Sequence, residues 1–273
     1  MVRGPRTDGK PMTEPANATL LKNAVRLSAD TVLNPGLHRS MSSDAPALVV
    51  LAAGRGTRFG QDPKCIQPVH GIPLARNSID AFRRCFAAPV ICIVGYRHEQ
   101  VAAALGANVL YVRSDNPAGG TAFAAYEAFS VADLVEANPL LIVTMGDRIV
   151  PPAIFQRLWE KHLDGEREAD LTFLTARYEP PRNRGKGRVL RDGGGRVLRI
   201  VEERDIAAEA DQTARHLLLN LTEGNCPLYI LHARRLRPLL ETLSNANARE
   251  RQLRPRRRSD DVPRRGCGRR QRL

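Results

Sequence analysis

Residues 47–74 read ALVVLAAGRGTRFGQDPKCIQPVHGIPL, and the rest of the chain is organised around them. The segment opens with an unbroken apolar run, Ala47 to Ala53, that stops at Gly54. Such a run ending at glycine predicts a buried strand closed by a tight turn. Gly56 and Gly60 follow, with Thr57 and Arg58 between them and Pro63-Lys64 just beyond. Glycine admits positive φ and lets a ligand approach the main chain. Successive bare N–H groups in such a turn make an anion nest. Arg58 and Lys64 add two positive charges beside it, a setting suited to a triphosphate.

Three phosphate loops compete for this pattern. The dinucleotide fingerprint G-x-G-x-x-G needs glycine at position 59, which is Phe59. No acidic residue stands about 20 residues on at a second strand end, where it would hold a ribose; the region carries Arg83 and Arg84. The Walker loop needs Gly-Lys-Ser/Thr, which occurs nowhere in the chain. The third pattern, a strand followed by L-A-A-G-x-G-T-R-(M/F) and then P-K, stands complete as Leu51-Ala52-Ala53-Gly54-Arg55-Gly56-Thr57-Arg58-Phe59 with Pro63-Lys64.

Further strands are expected at 89–94, 107–112 and 139–145, with helices at 74–86, 98–105 and 121–135 between them. Alternation of this kind predicts an α/β fold, a Rossmann-like, mainly parallel sheet flanked by helices. Ligands bind such sheets at the carboxyl ends of the strands. That rule places Asp147, in Met145-Gly146-Asp147-Arg148, on the same edge as Gly54–Lys64. A carboxylate beside a triphosphate loop is what Mg²⁺ requires. Pro151-Pro152 then opens an amphipathic helix through Trp159. A strand at 169–177, a hairpin at 188–201 around Gly193-Gly194-Gly195, a strand near 227–231 and a helix at 233–243 complete the domain, assigned to residues 45–250.

Residues 47–250 resemble the uridylyltransferase domain of the bacterial N-acetylglucosamine-1-phosphate uridylyltransferases, within the sugar-nucleotidyltransferase family. The opening motif belongs to the whole family. Gly185-Lys186-Gly187-Arg188-Val189, Ile200-Val201-Glu202-Glu203-Arg204-Asp205 and Leu243-Ser244-Asn245-Ala246-Asn247-Ala248 are similar to that member's G-Y-G-R-I, I-V-E-x-K-D and L-x-N-x-N-A. The resemblance implies transfer of a nucleotidyl group from an NTP, UTP foremost, to a sugar 1-phosphate, with Mg²⁺ as cofactor. It implies that Arg58 and Lys64 hold the triphosphate and that Asp147 binds the metal. Leu51, Ala52, Ala53, Gly54, Gly56, Thr57, Gly120 and Thr121 would line the nucleotide. Gly187, Glu202 and Asn225 would contact the sugar phosphate, from a small β-hairpin lobe. The chain departs from the pattern at two places. Neither of the family's two glutamines precedes Gly120, and Asn225-Cys226-Pro227 stands where the family has N-T-G. Another NTP, a different phosphorylated alcohol, or a non-catalytic nucleotide-binding remnant remain alternatives.

Composition limits the other classes. The formal charge is +13 over 273 residues, but residues 251–273 alone hold ten arginines against two aspartates. The globular part is only mildly basic, and the tail has no interleaved aromatics for stacking on bases, so nucleic acid is not an expected partner. The five cysteines form no C-x-x-C pair, which favours reduced thiols and a cytoplasmic setting. No run reaches the ~18 apolar residues of a membrane span. Residues 1–44 are expected to be a disordered tail. Residues 251–273 lack apolar periodicity and have the Arg/Pro/Gly enrichment of a G+C-rich gene read out of frame. The family's later asparagine metal ligand has no equivalent after residue 250, so weak turnover is the expectation for the chain as written.

Overall fold

The strand predicted at the opening motif runs from Ala47 to Ala52, and all six residues are buried. A strand covered on both faces needs no polar alternation, which is why it reads as one apolar run. Leu48, Val50 and Ala52 face one hydrophobic cluster, and Ala47, Val49 and Leu51 face a second on the other side. The computed structural model describes residues 45–239 except 55, 57–61, 107, 115–120, 129–139 and 165–168, together with Val25–Arg26. The expected tails at 1–44 and 251–273 otherwise lie outside the described residues.

In chain order the strands are β1 (Val25–Arg26), β2 (Ala47–Ala52), β3 (Pro68–Val69), β4 (Ile72–Pro73), β5 (Val90–Val94), β6 (Leu110–Arg113), β7 (Leu140–Met145), β8 (Leu171–Arg177), β9 (Arg188–Arg191), β10 (Val197–Val201) and β11 (Glu223–His232). The main sheet has the order β1-β6-β5-β2-β7-β11-β9-β10, with β8 also paired to β11. Its centre, β6-β5-β2-β7, is parallel. The β1, β8, β9, β10 and β11 pairings are antiparallel. The sheet is therefore mixed and mainly parallel in its core, as expected.

Helix α1 (Leu74–Arg83) buries Ala75, Ser78, Ile79 and Phe82 along one stripe. It ends three residues before the predicted Phe86, ahead of Pro89, which disfavours helical backbone in the residue before it. Phe86 nevertheless stays in the core, 5.1 Å from the Phe82 ring and 5.9 Å from Trp159. Helices α2 (His98–Leu105), α3 (Thr121–Glu127) and α4 (Pro152–Leu163) follow. The remainder of the helix expected to residue 135 lies outside the described residues.

Two helices were not anticipated. They are α5 (Glu203–Ala207) and α6 (Gln212–Asn220), the latter capped by Asp211, whose carboxylate accepts from the Thr213 and Ala214 N–H groups. A further helix spans 233–239.

Strand β11 joins the two parts of the molecule. Leu228–His232 pair with β7, while Gly224 pairs with Arg188 of β9. The β9–β10 hairpin thus continues the sheet beyond the carboxyl end of β7. The expected strand at 227–231 is longer than predicted, because Pro227 does not end it. The register against β8 shifts between Cys226 and Tyr229, and this irregularity absorbs a residue that cannot donate to a ladder. Asn225 accordingly sits inside a strand, opposite Thr175.

Candidate active site

Strand β2 ends at Ala52, and the chain passes through Gly54 and Gly56. Gly56 has φ +57°, and a Cβ there would lie 3.2 Å from the Lys64 Cβ. Nothing lies within 4 Å of where a Cβ on Gly54 would sit, so the loop leaves room above the strand end. Lys64 starts a short 3-10 turn, Lys64–Ile66, behind Pro63. Its Nζ donates to Asp147 Oδ2 at 2.8 Å, with each side chain about one-third exposed.

Asp147 reaches this point because β7 runs parallel to β2 and the Gly146 N–H donates to the Leu51 carbonyl at 2.9 Å. Gly146 has no room for a side chain: a Cβ would stand 3.0 Å from Cys65 Cβ and 3.2 Å from Leu51 O. Two residues 83 positions apart are so brought into contact at the carboxyl edge of the sheet.

Leu51, Ala52, Gly54, Gly56, Lys64 and Asp147 line one open cleft of about 120 Å³, joined by Cys65 and Met145. Ala53 does not line it; its side chain packs in the core beneath and its carbonyl accepts from the Tyr96 N–H at 3.3 Å. Thr57, Arg58 and Gly120 lie outside the described residues, and Thr121 is the first residue of α3. Burial, with a smaller contribution from Asp147, pushes the Cys65 thiol up to about 11. It stays protonated at neutral pH and is unsuited to nucleophilic chemistry.

The hairpin lobe brings the other three expected residues together. The Asn225 N–H donates to the Gly187 carbonyl at 2.8 Å. Glu202 Oε1 lies 3.1 Å from where a Gly187 Cβ would be. Asn225 Nδ2 donates to the Tyr229 hydroxyl at 2.8 Å, while its Oδ1 is buried with no hydrogen-bond partner among the described residues. Asn225 also lines a second cavity, of about 180 Å³, with Arg148, Tyr178, Lys186 and Cys226. Tyr178 OH and Cys226 Sγ are 3.2 Å apart, and that contact, then burial, raises the phenol above its usual pKa. Arg148, which lines the second cavity, has its Nε 3.8 Å from Oδ1 of Asp147 in the first. Sequence reasoning missed Cys65, Met145, Arg148 and Lys186; adjacency to Lys64, Asp147 and Gly187 was the available signal.

The lobe is held by a residue that sequence reasoning also passed over. Arg188 is 1% exposed and donates Nη1 to the Lys186 carbonyl and to Glu203 Oε2. Glu203 Oε2 also accepts from the Gly185 N–H at 3.2 Å. This pair fixes the turn before Gly187 against the start of α5, where Glu202 is the capping residue.

Among the described residues no cluster of three or more His, Cys, Asp or Glu side chains forms a metal site. The donor chemistry nonetheless suits a hard cation. Among the described residues Asp147 Oδ1 has Arg148 Nε at 3.8 Å, beyond hydrogen-bond reach, and accepts no hydrogen bond, which suits a metal-facing carboxylate oxygen.

A glycine loop at the end of a central parallel strand, a lysine in the cleft above it and a carboxylate from the next strand define a nucleotidyltransferase of the α/β type. Comparison with known proteins is more specific. The chain belongs to the MobA-like NTP transferase domain family, whose model matches residues 48–262. It is 33% identical over 204 residues to the bifunctional protein GlmU of Carboxydothermus hydrogenoformans, covering 74% of this chain and 42% of that one. It is 33% identical over 202 residues to GlmU of Azoarcus sp., covering 74% and 41%. The chain thus spans about four-tenths of the length of the curated relatives it matches. Among solved structures, HddC from Yersinia pseudotuberculosis has TM-score 0.53 at 20% identity, covering 71% of this chain and 79% of that one. The inositol-1-phosphate CTP transferase from T. maritima has TM-score 0.52 at 20% identity, covering 73% and 75%. These two show the shared fold. No helix of the described residues is long and apolar enough to cross a membrane.

Proposed function

We propose that the chain transfers a nucleotidyl group from an NTP to a sugar 1-phosphate, with UTP and N-acetylglucosamine 1-phosphate as the substrate pair. The observation that carries this reading is the Lys64–Asp147 contact in the cleft at the ends of β2 and β7. The pair comes from the resemblance of Gly185–Val189 and Ile200–Asp205 to the uridylyltransferase motifs. A phosphate oxygen of the acceptor attacks the α-phosphorus, that oxygen–phosphorus bond forms, and pyrophosphate leaves with the bond it breaks. Such transfer is accelerated by positioning and charge neutralisation rather than by covalent catalysis.

Lys64 and Arg58 hold the triphosphate, and Gly54, Gly56 and Thr57 let it approach the backbone. Leu51, Ala52, Gly120 and Thr121 border the base and ribose. Asp147 is the residue that would hold Mg²⁺, which when bound neutralises phosphate charge. Before substrate arrives, the Lys64 ammonium and the Asp147 carboxylate neutralise each other. Gly187, Glu202 and Asn225 take the sugar, with Asn225 Oδ1, which accepts no hydrogen bond among the described residues, available as an acceptor once the ligand is bound.

Asp147→Asn keeps the shape and removes the charge. Magnesium-dependent pyrophosphate release should fall by about 10²-fold or more, the scale lost when one group stabilising transition-state charge is removed. Lys64→Ala should weaken UTP binding, and Arg55→Ala should do so less. Near-normal turnover by Asp147→Asn, or equal small effects at Lys64 and Arg55, would refute these roles.

A further inference from the structure

The second cavity carries more charge than its lining suggests. Arg148 enters it from the end of β7 and Lys186 from the turn before β9, over an apolar floor that includes Val150, Leu174 and Leu228. Tyr178 stands between them: Lys186 Nζ lies 5.1 Å from its ring centroid, and the Arg148 charge acts on its phenol. Several described arginines elsewhere have close carboxylates. Arg76–Asp80, Arg97–Asp62, Arg191–Glu223 and Arg235–Asp170 are all within 3.1 Å. Arg148 approaches Asp147 no closer than 3.8 Å, and the Lys186 ammonium has no hydrogen bond or ion pair among the described residues. Two cations over an apolar floor, neither with a close carboxylate, concentrate positive potential in a concave site.

The position of this cavity says what the potential is for. Its lining reaches from Arg148, whose Nε stands 3.8 Å from Asp147 Oδ1, to Asn225 and Lys186 of the lobe. An acceptor anion moving toward a triphosphate meets repulsion from the triphosphate and from the Asp147 carboxylate alike. Like charges a few ångströms apart in a partly desolvated site repel strongly unless cations intervene. We propose that Arg148 and Lys186 form an anion clamp for the acceptor, holding a phosphate or carboxylate group of that molecule beside Asp147. The proposal rests on the transfer reaction read above. The clamped anion is either the acceptor's reacting phosphate or a second anionic substituent, and the two sources separate by experiment.

The full chain is compared with Arg148→Gln, Lys186→Met and the conservative Lys186→Arg. Two acceptors are used: N-acetylglucosamine 1-phosphate, with one phosphate, and glucose 1,6-bisphosphate, with two. Each neutralising variant should raise the acceptor KM about tenfold, the loss expected for one charge-assisted hydrogen bond, and leave the KM for UTP within about twofold. Lys186→Arg should retain most of the affinity, which a merely structural lysine would not require. A rise for both acceptors assigns the clamp to the reacting phosphate, and a rise for the bisphosphate alone assigns it to the second group. Calorimetric titration of the same proteins with each acceptor and with inorganic phosphate, without UTP, reads binding in the absence of turnover. If no acceptor is turned over yet binding is lost in Arg148→Gln and Lys186→Met, the transfer reading fails and the clamp stands. Unchanged acceptor affinity in both variants, equal loss of UTP affinity, or no binding of any probe by the unaltered chain overturns the proposal.

Discussion

Cutting the Arg188–Glu203 pair from its two ends should give unequal results. The guanidinium is 1% exposed, whereas the Glu203 side chain is 41% exposed. Glu203→Ala leaves a buried cation with the Lys186 carbonyl as its one remaining acceptor among the described residues. Stranding a buried charge in this way costs about 3–5 kcal/mol. Arg188→Met leaves a carboxylate that water can reach, and the methionine fills much of the aliphatic volume. It also removes Nε and Nη2, which are buried with no hydrogen-bond partner among the described residues, so their desolvation cost is relieved. What remains is the loss of the bonds made by one donor, about 1–2 kcal/mol net. The expected difference is about 2 kcal/mol, or roughly 1 M in the urea midpoint for a chain of this size. Burial pushes the Glu203 carboxyl up, but the Arg188 bond, the Gly185 N–H and the charges of Arg188 and Arg184 outweigh it and hold it below 4.5. The pair's contribution is therefore complete at neutral pH and is lost as pH falls through the carboxylate range. Urea titrations of both variants at pH 7 and pH 4 test the argument. If Arg188→Met costs as much as Glu203→Ala at pH 7, the reasoning about a stranded charge is wrong.

Gly187→Ala would place a Cβ 2.8 Å from Ile200 Cγ2 and 3.1 Å from Glu202 Oε1, so a loss of about 1–3 kcal/mol is expected together with a raised acceptor KM. A variant with wild-type midpoint and KM would show that the lobe tolerates the methyl group. With its thiol pushed up to about 11, Cys65 should be alkylated by iodoacetamide at pH 8 about a hundredfold more slowly in the folded chain than in urea. Between the ordinary thiol value of 9.0 and 11 the unfolded chain gives up a proton that the folded chain keeps, so stability should decline with rising pH across that window. Cys92, fully buried, acts in the same direction. Equal alkylation rates would show Cys65 open to solvent.

The core was legible because double burial leaves a mark that composition cannot hide. Strands β2 and β5 are apolar throughout and β7 is so but for Thr144, and parallel strands put their carboxyl ends on one edge, so Lys64 and Asp147 could be placed together without coordinates. The lobe was less legible. Helix α6 buries none of its residues, and its short Ala214, Leu217, Leu218 stripe is weak beside polar neighbours; its Asp211 cap is the clearer mark. Glu203 reads as one more acid in a solvated EERD run, because its partner is fixed by strand pairing fifteen positions away rather than by local spacing. Arg188 reads as a surface cation for the same reason. Asn225 reads as a turn residue beside Pro227, whereas the register shift in β11 lets the strand run through both.

Residues 178–222, all of them between β8 and β11, begin and end at neighbouring points: the Tyr178 N–H donates to the Thr222 carbonyl at 2.7 Å. An excursion that closes on itself within one hydrogen bond is a cassette. It carries Lys186, Gly187, Arg188, Glu202 and Glu203, and none of the β2 loop or Asp147. Insertions whose ends meet are the kind a host domain tolerates when their content changes. Exchange of this single contiguous segment would therefore replace the lobe's share of the acceptor side in one step, with the Glu203–Arg188 brace travelling inside the cassette and Asn225 and Arg148 staying with the host. Gly224, which has Tyr178 Cδ2 only 2.6 Å from where its Cβ would be, is the point on the host side that any replacement must fit.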